Sequence, residues 1–248
     1  FAATFALPLA WSVAVGDGSH ASFLVSGASC LFVGAVVWAA TRRYRRELEP
    51  RDGALLVVIG WLLMSLAGAL PFILELPELS FTDACFEAIA GLTTTGATVI
   101  SGIERLPQSV NVWRHALQWY GGMGIIVMAV AILPMLGVGG MQLFKAEVAG
   151  PMKERKLTPR ITQTAKALWL IYIALTAVCI VALRWAGLDW FEAVCHAFSA
   201  LSLGGSSTRD ASIMSFESQA VEAVLSVFML LASLNFSTHF LAWRERSP

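Results

Sequence analysis

Charge is scarce in this chain of 248 residues: 14% are Asp, Glu, Lys or Arg, where a soluble domain carries about 25%. Hydrophobic residues make up 57%, and the mean hydropathy is +0.69. Lipid is the solvent that suits such a composition. The formal net charge is zero, so the bulk basic footprint of a nucleic-acid binder is missing, and no nucleic-acid partner is expected. Histidine is rare as well. His115, His196 and His239 lack ligand-like spacing, and neither an HExxH nor an Asp-rich metal motif occurs. A membrane-embedded enzyme would need such groups, so the chain is read as no enzyme and as needing no organic cofactor. The four cysteines (Cys30, Cys85, Cys179, Cys195) show no CxxC spacing and sit among apolar neighbours. They read as small buried hydrophobes rather than a disulfide or metal set. Phe1 to Val15 has no basic n-region, which argues against a signal peptide. Since the chain opens inside an apparent helix and closes just after another, it is read as part of a longer protein.

Long apolar runs, by contrast, are abundant. Ala2 to Val15 is a short one, the remnant of a span. Spans of about 20 residues are predicted at Ala21 to Ala40, Gly53 to Leu74 (ending near Pro71 and Pro77), Val112 to Leu136, Ala167 to Ala186 and Ala220 to Trp243. Asp83 to Leu92 and Trp190 to Leu201 are apolar but too short to cross, which predicts re-entrant helices. Thirteen of the seventeen basic residues lie in three clusters: 42–51, the linker Lys145 to Lys166, and Arg244 with Arg246. The positive-inside rule places these in the cytoplasm. Both short segments then enter from the outer side, which also holds Glu75, Glu78, Asp83, Glu87, Glu104, Asp189, Glu192, Asp210, Glu217 and Glu222. Those acids read either as a cation-concentrating vestibule or as soluble loops.

Each short segment ends in a polar turn: Thr93-Thr94-Thr95-Gly96-Ala97-Thr98 in the first, Ser202-Leu203-Gly204-Gly205-Ser206 in the second. A register of 109 residues aligns them without gaps. It pairs Ala84 with Ala193, Ala88 with Ala197, Leu92 with Leu201 and Gly96 with Gly205. The identities recur every fourth residue, one stripe of a helix. The same register sets Ser80 and Asp189, each an N-cap, three residues before Asp83 and Glu192. Such turns offer backbone carbonyls, hydroxyls and a glycine free in φ. Carbonyls of this kind replace an ion's hydration shell in a cation filter. Two turns supply half of a four-loop ring. The alternative for Thr93 to Thr95 is a helix C-terminus packed against its neighbours.

Phe86-Glu87-Ala88-Ile89-Ala90-Gly91-Leu92 with the adjoining Thr93 to Thr98 resembles the first pore loop of the TrkH family, the membrane subunits of bacterial Trk potassium uptake systems within the Trk/Ktr/HKT superfamily. Gln118-Trp119-Tyr120-Gly121-Gly122-Met123-Gly124-Ile125, Leu136 to Phe144, Lys156 to Ile161 and Gly204 to Ile213 are similar to further stretches of that family. The resemblance implies an all-α membrane protein. Two leading transmembrane helices (1–46) precede two M1–P–M2 potassium-channel-like pore repeats (53–144 and 167–246), joined by a cytoplasmic linker (145–166): half of a four-repeat pore. It implies potassium uptake across the bacterial inner membrane, with the basic loops cytoplasmic and the pore loops periplasmic. It also implies a homodimer and a TrkA-type nucleotide-binding regulator. Carried over by position, the potassium contacts fall on Thr94, Thr95, Leu203 and Gly204. Thr93, Gly96, Ala97, Ser202, Gly205 and Ser206 support them. Ser206 departs from the family, which usually has phenylalanine after the two glycines. A sodium-dependent or sodium-permeable KtrB-like transporter is the alternative.

Other features carry two readings each. Gly121, Gly122 and Gly124 serve close helix packing or a gating hinge. Asn235 and His239 share a helix face for interhelical hydrogen bonding or ion contact. Arg209 and Asp210 form a loop pair or touch the ion. The linker sets topology or meets the regulator and anionic lipid.

Overall fold

The computed structural model describes residues 1–44, 50–132 and 158–234, and within them every regular element is helical. A 3-10 turn at Ala2–Phe5 leads into α1 (Ala6–Val15). Then come α2 (His20–Thr41), α3 (Pro50–Glu75), the short α4 (Phe81–Leu92) and the central α5 (Gln108–Ile132). After the linker come α6 (Thr158–Trp185), the short α7 (Trp190–Ser202) and α8 (Gln219–Ser233). Asn235, His239, most of the basic linker and the C-terminal basic pair lie outside the described residues.

Among the described residues, three stretches are long and apolar enough to cross a membrane: His20–Thr41, Leu55–Glu75 and Ala165–Trp185. They show apolar side chains outward, such as Leu31, Phe32 and Trp38 on α2, as a lipid-facing helix must. The described part of the last expected span, Gln219–Ser233, is a shorter apolar helix. The third expected span, Gly53 to Leu74, is met by α3, which runs through Pro71 and ends at Glu75. Neighbouring helices allow a membrane helix to keep such a proline. The expected fourth span, Val112 to Leu136, falls on α5, whose helix is described to Ile132. Its polar residues Asn111, Arg114, His115 and Gln118 are all buried in protein.

That burial defines the architecture. α5 runs through the middle, packed by α1, α3 and α4 on one side and by α6 and α7 on the other. One core gathers Phe5, Phe23, Phe72, Ala84, Ala88, Leu92, Trp113 and Leu117, and the other Tyr172, Leu183, Ala193, Ala197, Leu201, Val221 and Leu225. Both copies of the helical stripe are therefore in a core. Trp113 stacks on Phe5 with centroids 4.6 Å apart and donates its indole N–H to the Gly68 carbonyl. The turn before α2 is tied down by Asp17, which accepts from Ser12 Oγ, the Ser19 amide and the Ser109 amide. Burial of Asp17 works against its charge, but these hydrogen bonds prevail and hold its pKa below the ordinary value.

Candidate functional site

The short helices begin alike. Ser80 Oγ accepts the Asp83 amide and Asp189 Oδ1 accepts the Glu192 amide. Each such cap stabilises its helix by about 1 kcal/mol. They also end alike. Thr94 N–H donates to the Gly91 carbonyl and Thr95 N–H to that of Ala90. At the same register, Leu203 N–H donates to Ala200 and Gly204 N–H to Ser199.

Beyond the helix ends the backbone is unusual. Thr94 has φ 57° and Leu203 has φ 56°; Gly96 has φ 73° and Gly205 has φ 75°. All four angles obey the 109-residue register. Glycine accepts positive φ freely, but a β-branched threonine there is a genuine outlier. Such residues persist only where the surroundings over-determine them, at a cost of about 1–3 kcal/mol each. Thr93 secures the first turn: its hydroxyl donates to the Ile89 carbonyl at 2.7 Å and pairs with Thr95 Oγ1 at 2.8 Å. In the second turn Ser202 Oγ donates to Phe198 and Ser199. Thr95, Ala97, Leu203 and Gly205 are exposed, whereas Gly204 is buried.

The two turns touch. A Cβ built on Gly96 would land on the Gly204 carbonyl oxygen, and one on Gly204 would strike the Gln118 amide. Gln118 Nε2 donates to Ser206 Oγ at 2.5 Å and reaches the Gly204 carbonyl at 3.4 Å. Ser206, where the family's phenylalanine is expected, thus meets a polar partner from α5. On the same helix, Gly121 lies against the Leu92 carbonyl and Gly122 against Ser202. Consecutive glycines receive the ends of the two short helices, which is the close-packing reading.

Several of the acids expected on the outer side are engaged rather than free. Glu75 accepts from Ser19 and Ser22. Glu87 is buried and paired with buried Arg114 at 3.4 Å. Arg209 and Asp210 do not form a pair with each other, contrary to expectation. Arg209 binds Glu192 at 2.5 Å and lies over the Phe216 ring. Asp210 accepts the Gly102 and Ile103 amides at 2.7 and 3.0 Å, while its own amide donates to Glu104. Those carboxylates hold the loops behind the turns.

His115 and His196 stand with ring centroids 6.1 Å apart, and each Nδ1 lies 2.7 Å from a helix carbonyl one turn back. Among the described residues, no group of three or more His, Cys, Asp or Glu could hold a metal ion. The four cysteines are free, with Cys179 and Cys195 buried.

The family model for TrkH, described as a cation transport protein, matches residues 19–247. The chain belongs to the TrkH family. The TrkH potassium uptake protein of Halomonas elongata is 50% identical over 247 residues, 99% of this chain and 51% of that protein. That of Escherichia coli K12 is 46% identical over the whole chain and 51% of its own length. The crystal structure of the potassium transporter TrkH from Vibrio parahaemolyticus superposes with TM-score 0.87 at 45% identity, covering 99% of this chain and 49% of that one. The chain thus spans about half the length of the TrkH relatives it matches. Those relatives are named as transporters, and this TrkH-family chain is no enzyme.

Proposed function

We propose that this TrkH-family chain carries two quarters of a four-part potassium filter. The observation that carries this reading is the doubled backbone: left-handed φ at Thr94 and Gly96, and again at Leu203 and Gly205. Alternation of hand turns successive peptide groups away from the two-sided pattern of an ordinary strand. The carbonyls of Thr94, Thr95, Leu203 and Gly204 then face a dehydrated potassium ion in place of its water. Thr93, Gly96, Ala97, Ser202, Gly205 and Ser206 set their geometry. The C-terminal ends of α4 and α7 add partial negative charge to the same region. Gly96 lets the first quarter abut the second, since only a residue without a Cβ leaves room for the Gly204 carbonyl.

In this reading, 53–144 and 167–246 are pore repeats, 1–46 forms the leading pair and 145–166 is a cytoplasmic linker. The complete protein takes up potassium across the bacterial inner membrane as a homodimer, with pore loops periplasmic. Its basic linker meets a TrkA-type regulator or anionic lipid. Two further quarters come from outside this chain.

The test is Gly96→Ser in the complete protein, expressed in cells lacking other potassium uptake. Rubidium uptake against competing sodium should lose selectivity. Unchanged selectivity would remove the filter assignment. Uptake that is strictly sodium-dependent in the unaltered protein would favour the KtrB-like alternative.

A further inference from the structure

Glu87 is the most heavily engaged carboxylate near the turns, although nothing in its sequence context distinguishes it from the other outer acids. It leaves the buried face of α4 and is itself buried. Its Oε1 accepts three hydrogen bonds from the segment leaving the first turn: Thr98 Oγ1 at 2.6 Å, the Val99 amide at 2.6 Å and the Ile100 amide at 3.4 Å. Its Oε2 faces Arg114 Nε at 3.4 Å. Arg114 in turn donates to Asn111 Oδ1, and Asn111 Nδ2 donates to the Ile103 carbonyl. One carboxylate thus clamps the chain on the far side of Gly96 to both the short helix and α5.

The 109-residue register sets His196 opposite Glu87 and Ser207 opposite Thr98. The contact is reproduced, with His196 Nε2 3.1 Å from Ser207 Oγ. Ser207 Oγ also accepts the Arg209 amide. Both quarters are therefore braced from behind by a side chain at the same turn of the short helix. The first brace is a charge-paired carboxylate that takes two backbone amides as well as a hydroxyl. The second is an imidazole bonded to one hydroxyl.

We propose that Glu87 is the positioning residue of the first filter quarter: its charge-assisted hydrogen bonds to Thr98, Val99 and Ile100 fix the Thr94–Gly96 carbonyls and so set ion discrimination. The inference rests on the filter reading. Charge-assisted bonds are roughly twice as strong as neutral ones, and a buried pair broken on one side strands the other charge. Glu87→Gln keeps the shape but loses charge and one acceptor site. Thr98→Val removes the hydroxyl's bond to Glu87 and the one it accepts from the Ile100 amide, and leaves the Arg114 pair intact.

The experiment measures rubidium uptake with competing sodium, in the complete protein, for Glu87→Gln, Thr98→Val and Thr98→Ser, with membrane abundance by immunoblot. Gly96→Ser is run in parallel. Rubidium-over-sodium discrimination should fall roughly tenfold in Glu87→Gln and a few-fold in Thr98→Val. Thr98→Ser should recover most of what Thr98→Val loses. The half-saturating rubidium concentration should move more than the maximal rate, which a purely structural role would not produce. If Glu87→Gln fails to accumulate, Thr98→Val decides alone. Wild-type discrimination in the variants that accumulate, with Gly96→Ser altered, overturns the brace and leaves the filter. Wild-type discrimination in all of them overturns both.

Discussion

Gly96 and Gly205 share a left-handed φ but differ in what stands before them. A Cβ on Gly96 collides with backbone, whereas one on Gly205 meets nothing within 4 Å. The strain of φ alone is about 1–2 kcal/mol for an L-residue. Backbone overlap adds to it at Gly96, where no side chain is available to yield. Gly96→Ala should therefore lower the melting temperature of the purified protein clearly more than Gly205→Ala, as differential scanning fluorimetry would show. Equal shifts would mean that the two turns do not meet. The glycines themselves are legible in the sequence, and so is their register. Which of them is crowded is not, because the crowding atom belongs to Gly204, on the other turn.

Helices are the most legible level. The stripe of Ala84, Ala88 and Leu92 and its copy at Ala193, Ala197 and Leu201 mark the buried faces, and the caps at Ser80 and Asp189 mark the starts. Local rules set these features, and local rules can be read along a chain. The central helix is legible as a helix, but the partners of its polar residues are not. Its polar residues look like a weakness in a membrane span, yet they face partners on α4 and the second turn. The carboxylate pairings of the loops are hidden for the same reason. Proximity in sequence suggests Arg209 as the partner of Asp210, but its partners are the Gly102 and Ile103 amides, in the loop that follows the first turn. Those amides lower its pKa. A carboxylate with a depressed folded pKa contributes stability above its ordinary value of 3.8, and that contribution fades as pH falls through the folded value. The melting temperatures of wild type and Asp210→Asn should thus differ at neutral pH and converge as the pH falls below 3.8 and through the lower folded-state value. A constant gap would show that the loop latch does not depend on the charge.

On the scale of the molecule, α5 organises everything. Gly121 and Gly122 seat the ends of both short helices, Gln118 reaches into the second turn, and Arg114 secures the brace of the first. The two turns are therefore one packed unit with a shared wall. If that unit is half of a filter, the carbonyls of Thr94, Thr95, Leu203 and Gly204 bind the transported ion. Anomalous diffraction from crystals of the complete protein grown in rubidium reads this out without an intermediary. A peak within coordination distance of those four oxygens is expected. A transport-competent protein with its rubidium peaks elsewhere, and none at these carbonyls, would refute the assignment.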